Sequence, residues 1–157
     1  MYNPEIHHRH TIRLQEYNYS QNGIYFITIC TRDRENIFGN LKIKPINDYY
    51  IELSVIGNIV NNEWEKLSDK FNFIKIHDYI VMPNHMHGII EIEKSNRTLG
   101  NIIKEYKALT SKRCKSSIWQ RNYYEHIIRN EKELYKIQNY IKQNPTKLGM
   151  DIENTNI

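Results

Sequence analysis

Among 157 residues the chain has two cysteines, four prolines and six glycines. Cys30 and Cys114 form no Cys-x-x-Cys pair and fall in different parts of the sequence. That excludes a disulfide framework and a thiolate zinc ribbon, and fits two thiols in a reducing compartment. No apolar run reaches the roughly 20 residues of a membrane span, and Met1–Arg13 is polar and rich in His and Arg, unlike a secretory leader. A cytoplasmic protein is expected. With no repeat, low-complexity tract or Pro/Gly-rich linker, the chain reads as a single domain over 1–157, with a basic N-terminal arm (1–20) and a short C-terminal tail (146–157). Its 39% hydrophobic and 25% charged residues are ordinary for a globular protein with a real core.

What the chain has is tyrosine, twelve of them, and a net charge of +4. Basic residues gather at Lys104, Lys107, Lys112, Arg113, Lys115 and Arg121, interleaved with Tyr106, Trp119, Tyr123 and Tyr124. The mixture suits phosphate neutralisation with base stacking on a single strand, and equally suits a solvated helix face. His7-His8-Arg9-His10 and Arg13 form a second basic patch.

His85-Met86-His87 opens an apolar run, His85–Glu93, that reads as a strand. Alternate strand residues share a face, so the two imidazoles project together and Met86 points into the other layer. Alternate Cα atoms lie roughly 6–7 Å apart, close enough for both rings to reach one ion. Taken alone, the pair is read more simply as two polar residues on a solvated face.

The flanking elements follow from periodicity. Gly23–Thr31 is β-branched and aromatic, a central strand. Lys42–Ile46 and Tyr49–Leu53 form a hairpin appended to it across Asn47-Asp48, and Phe71–Met82 is a second long strand. Ser54 caps a helix bearing Ile56, Val60, Trp64 and Leu67, and Thr98 caps another bearing Leu99, Ile102, Ile103 and Tyr106. Glu125–Arg129 is a last strand. Asn130 and Glu133 resemble a capping box for a closing helix that Pro145 stops near Asn144. Its apolar stripe is Leu134, Ile137 and Ile141; at about 100° per residue, Tyr140 and Asn144 share one flank, a turn apart. The order predicts an α+β fold: a ferredoxin-like antiparallel sheet with two helices on one face and a C-terminal helix carrying Tyr140. If that last helix crosses the opposite face, Tyr140 and Asn144 arrive beside His85 and His87.

Two imidazoles and an amide oxygen leave coordination positions open, a set suited to Mg²⁺ or Mn²⁺ in phosphoryl transfer. Next to a phosphodiester so held, Tyr140 can attack phosphorus. The resulting ester bond keeps the energy needed for a free 3′ hydroxyl to reverse the step. Tyr123 and Tyr124 are the rival nucleophiles or stacking platforms, and Glu125-His126 reads as a pair that orders the site or touches DNA.

Ile80-Val-Met-Pro-Asn-His-Met-His-Gly88, Trp119-Gln-Arg-Asn-Tyr-Tyr-Glu-His-Ile-Ile-Arg-Asn130 and Tyr140-Ile-Lys-Gln-Asn-Pro145 resemble the signature blocks of the REP-associated tyrosine transposases, members of the His-hydrophobic-His single-strand endonuclease group. Arg9–Ser20 and Tyr25–Thr31 resemble the amino-terminal part of the same family, so the likeness runs nearly the full chain. It implies a ferredoxin-like fold and cleavage of single-stranded, often hairpin-bearing DNA through a 5′-phosphotyrosine. Carried over by motif, His85, His87 and Asn144 would be metal ligands and Tyr140 the nucleophile. Arg13, Lys104, Lys107, Arg121, Tyr123, Tyr124 and Arg129 are the candidate DNA contacts, and a homodimer is left open. The competing functions are a non-catalytic module that binds single-stranded nucleic acid and a hydrolase that uses metal-activated water.

Overall fold

The expected central strand is β1 (Gly23–Cys30), whose side chains alternate between two apolar layers. Tyr25, Ile27 and Ile29 are buried in one; Ile24 and Phe26 pack into the other. This computed structural model describes residues 22–155, and the proposed basic arm with Arg13 lies outside the described residues. After β1 come a 3-10 turn (Arg32–Arg34), β2 (Gly39–Lys44), β3 (Asp48–Leu53), α1 (Val55–Glu65), α2 (Leu67–Lys70), β4 (Ile74–Val81), β5 (His85–Ile92), α3 (Leu99–Cys114), β6 (Tyr124–Ile128) and α4 (Glu131–Thr155). The main sheet has the order β4-β5-β1-β6, every neighbour antiparallel. With helices after its first and third strands, this is the ferredoxin-like arrangement. Among the described residues no helix is long and apolar enough to cross a membrane.

The three caps read from the sequence are formed. Ser54 Oγ accepts from Gly57 N at 3.0 Å, Thr98 Oγ1 from Asn101 N at 3.1 Å, and Asn130 Oδ1 from Glu133 N at 2.8 Å. Each satisfies one amide that the first helical turn leaves without a partner. Glu133 returns the contact one residue further out, accepting from Arg129 N at 2.9 Å.

Both faces of the sheet are covered. Met86, Ile90 and Ile92 join Tyr25, Ile27 and Ile29 against Val60 and Trp64 of α1 and Ile102, Ile103 and Tyr106 of α3. On the opposite face Ile89 and Ile128 bury Ile141 of α4, with Ile24, Phe26, Ile80, Leu134 and Ile137 around them. The closing helix therefore crosses the face that His85 and His87 share with Ile89. A register shift in β4 between Ile76 and Tyr79 inserts a residue, so Ile74 and Ile76 face the first core while Ile80 faces the second.

Three sequence expectations need correction. The hairpin is a separate two-stranded sheet, β2–β3, rather than an addition to the main one, and its turn lies at Pro45–Asn47 instead of Asn47-Asp48. Pro45 has no N–H for the ladder, whereas Asn47 accepts the positive φ (50°) that the turn requires. The second long strand begins at Ile74, because Phe71 closes the short α2. The third is the end of α4: the helix passes through Pro145 and continues to Thr155, so residues 146–155 of the expected tail are helical. Proline deprives the Ile141 carbonyl of its donor, but packing beyond the proline holds the helix. Pro145 is buried, and Gly149 lies against the Tyr49 ring of β3, so close that a Cβ there would stand 2.4–2.6 Å from ring carbons.

Candidate active site on the helix-covered face

Strand register sets the site. Ile80, His87, Thr28 and Tyr124 line up across β4, β5, β1 and β6, and His85 stands opposite Cys30. His87 is 5% exposed; its ring stacks on Phe26 at 5.4 Å, and its Nδ1 is 2.7 Å from Thr28 Oγ1. The His85 ring lies 4.7 Å from it, centroid to centroid. His85 Nδ1 is 2.7 Å from Asn84 Oδ1, while Asn84 Nδ2 donates to the Arg34 carbonyl at 3.5 Å. The amide oxygen therefore faces the ring, Nδ1 carries the proton, and the Nε2 lone pair is free for a ligand.

Burial depresses both imidazoles. His85 is pushed down to about 4 by desolvation and by the nearby Arg34 charge. His87 is pushed down to about 3 by desolvation and by His85, against a smaller upward pull from its hydrogen bond with Asn144. Both are neutral at pH 7, the form in which imidazole binds a metal.

The flank of α4 completes the group. The Tyr140 ring lies 5.3 Å from His87 and meets Phe26 edge-on at 6.1 Å, while 42% of the residue stays exposed. Asn144, one turn on, donates its amide N–H to the Tyr140 carbonyl at 2.6 Å, leaving its oxygen for His87. Two neutral nitrogens and one amide oxygen thus converge beside a tyrosine. Among the described residues no group of three His, Cys, Asp or Glu side chains gathers to hold a metal. The set that could hold a divalent cation is nitrogen, nitrogen and neutral oxygen.

Thr28 and Asp78, which hold this geometry, were not singled out in the sequence, and Asn84 reads there only as part of the Pro83-Asn84 turn that aims the histidine strand. Thr28 and Asn84 fix the imidazoles. Asp78, at the register shift in β4, accepts from Gln138 Nε2 at 3.0 Å and pairs with Lys142 at 3.6 Å, anchoring α4 a half-turn on either side of Tyr140. At the start of α4, Glu133 pairs with His126 of β6. Only strand register and helix placement bring these partners together, so sequence spacing carries no sign of them.

The candidate DNA contacts are dispersed. Tyr124 is 47% exposed, on the histidine face and edge-on to Phe26 at 6.3 Å. Tyr123 is half-buried against the first core, its hydroxyl donating to Glu125 Oε2 at 2.8 Å. Glu125 and His126 consequently look to opposite faces, and His126 pairs with Glu133. Lys107 gives its ammonium to the Gln120 and Asn122 carbonyls at 2.8 and 3.0 Å, tying down the loop before β6, and burial lowers its pKa. Arg121 and Arg129 are exposed, and Lys104 is exposed on α3, across the sheet from the histidines.

No family model matches the chain. A Haemophilus influenzae protein of uncharacterised function is 41% identical over 92% of each chain. An Escherichia coli REP-associated tyrosine transposase is 25% identical, covering 83% of this chain and 71% of its own. In three dimensions the chain matches a REP-associated tyrosine transposase solved bound to a REP hairpin, with a TM-score of 0.66 and 24% identity over 87% of this chain and 75% of that one. Likeness over most of the chain, the shared fold and the ordered blocks agree: the chain is similar in sequence and in fold to the REP-associated tyrosine transposases.

Proposed function

We propose that the protein is a metal-dependent endonuclease and strand transferase for single-stranded, hairpin-associated DNA, acting through a 5′-phosphotyrosine on Tyr140. The observation that carries this reading is the approach of the Tyr140 ring to within 5.3 Å of His87, with Asn144 hydrogen-bonded to that imidazole. The solved relative bound to a REP hairpin supports the choice of substrate.

In this reading Tyr140 Oη forms a bond to phosphorus as the bond from phosphorus to the 3′ oxygen breaks. The phenolic proton ends, through solvent, on the departing 3′ hydroxyl. The 5′ oxygen keeps the phosphate, now esterified to tyrosine, and a 3′ hydroxyl from another strand reverses the reaction without an external energy source. His85, His87 and the Asn144 oxygen would hold Mg²⁺ or Mn²⁺, which when bound supplies Lewis-acid polarisation of the phosphodiester. Edge-on contacts with Phe26 and His87 restrict the phenol's position, so little orientational freedom is lost on reaching phosphorus. Tyr124, exposed on the same face, offers a base a stacking surface; Arg121 and Arg129 offer charge to the backbone.

The test uses a hairpin with single-stranded flanks, labelled at either end, incubated with the protein and Mn²⁺. A covalent adduct is expected on the 5′ end of one product, lost with chelator and lost in Tyr140→Phe. An adduct that survives Tyr140→Phe overturns the assignment of the nucleophile.

A further inference from the structure

The turn after β1 carries a second charge toward the site. Cys30, the last residue of β1, stands opposite His85 on the helix-covered face, and Arg34 Nη1 lies 2.8 Å from its Sγ. The guanidinium thus reaches over the His85 edge of the sheet, where its charge helps depress that imidazole. A thiol is a weak acceptor and uses one of five guanidinium N–H groups. Among the described residues no carboxylate pairs with Arg34; the neighbouring Asp33 faces Arg32, at 4.0 Å.

The backbone is bent to put the side chain there. Asp33 (φ 54°) and Arg34 (φ 57°) are consecutive left-handed residues, a conformation that side chains other than Gly and Asn adopt at a cost and that gathers at functional sites. The turn is fixed to the loop before β5. Thr31 N and Thr31 Oγ1 both donate to the Asn84 carbonyl, at 2.9 and 3.0 Å, and Thr31 Oγ1 also lies 2.8 Å from the Glu35 carbonyl. The Asn84 side chain then holds both partners: its nitrogen reaches the Arg34 carbonyl and its oxygen the His85 ring. One amide therefore ties the backbone that carries Arg34 to the imidazole, and Cys30 Sγ receives the guanidinium.

We propose that Arg34 is a catalytic residue that binds the non-bridging oxygens of the scissile phosphate through its free guanidinium edge. The assignment rests on the strand-transfer reading above. A guanidinium presents parallel N–H groups at the spacing of two phosphate oxygens, and these oxygens gain charge as the tyrosine attacks. The hydrogen bonds that shape the turn run through the backbone, Thr31 and Asn84, so changing the Arg34 side chain leaves them in place.

The experiment compares wild type, Arg34→Gln and Arg34→Lys on hairpin DNA whose scissile linkage is either an ordinary phosphodiester or an uncharged methylphosphonate, with Mn²⁺. Adduct formation by Arg34→Gln is expected to slow about 100-fold on the phosphodiester. Arg34→Lys should recover part of the rate, and the Arg34→Gln defect should shrink to within about threefold on the methylphosphonate, which has lost the charge that the arginine would neutralise. Equal slowing on both substrates, or none, overturns the assignment. A second measurement does not need cleavage. In a Tyr140→Phe background, Arg34→Gln should reduce the slope of log affinity against log salt for the single-stranded flank by about 0.7, one phosphate contact. An unchanged slope also overturns it. If wild type makes no adduct, the strand-transfer reading fails, and the salt slope still decides whether Arg34 contacts a phosphate.

Discussion

Gly88 follows the histidine pair directly, and its side-chain position points away from the histidines into the first core. A Cβ there would stand 2.6 Å from Cζ2 and 3.1 Å from Cε2 of Trp64. The indole has nowhere to retreat. It is fully buried and meets the Tyr106 ring edge-on at 5.3 Å, while the Tyr106 hydroxyl donates to the Val60 carbonyl at 2.8 Å. Gly88→Ala thus overpacks a closed layer, at about 1–3 kcal/mol, offset by about 0.5–1 kcal/mol from replacing a glycine in a strand. A net loss of about 1–2 kcal/mol lowers the melting temperature by about 2–8 °C in a protein of this size. The assay is thermal and urea unfolding of four proteins: wild type, Gly88→Ala, Trp64→Phe and the double variant. The clashing atoms belong to the six-membered ring of the indole. Trp64→Phe leaves a void on its own but makes room for the new methyl, so the double variant should be more stable than the sum of the single losses by about 1 kcal/mol. A Gly88→Ala protein as stable as wild type, or a cycle that closes additively, refutes the steric reasoning.

Thr28→Val preserves shape but removes the His87 Nδ1 partner. Mn²⁺ affinity measured by calorimetry should fall about tenfold or more, and an unchanged affinity would show that Thr28 does not orient the ring. Asp78→Ala frees Gln138 and Lys142 together. Because Lys142 is largely exposed and its pairing adds little, the expected cost is about 1 kcal/mol. It should appear in the urea midpoint and as faster amide exchange around Tyr140; exchange at the wild-type rate would dismiss Asp78 as an anchor.

Features that depend on local chemistry were readable from the sequence. Ser54, Thr98 and Asn130 cap helices because a side-chain oxygen near a free amide needs no distant partner. The two-sidedness of β5 and the shared flank of Tyr140 and Asn144 follow from strand and helix periods alone. Where a distant partner decides, the sequence was silent or misleading. Pro145 reads as a stop until the Tyr49 ring is found under Gly149. Lys107 reads as a free cation until the carbonyls of Gln120 and Asn122 are found around it. Tyr123 and Tyr124 are adjacent and alike in sequence, and only strand parity sends one to the core and the other to the histidine face. Arg34 lay in an unremarked turn because its significance depends on an asparagine fifty residues away.

The helix that carries Tyr140 is held at its start by the His126–Glu133 pair, at its middle by Asp78, and near its end by the packing of Gly149 on Tyr49. All of these partners belong to the same chain as the histidines. The histidines, Tyr140 and Asn144 accordingly meet across a helix clamped at three points along its length.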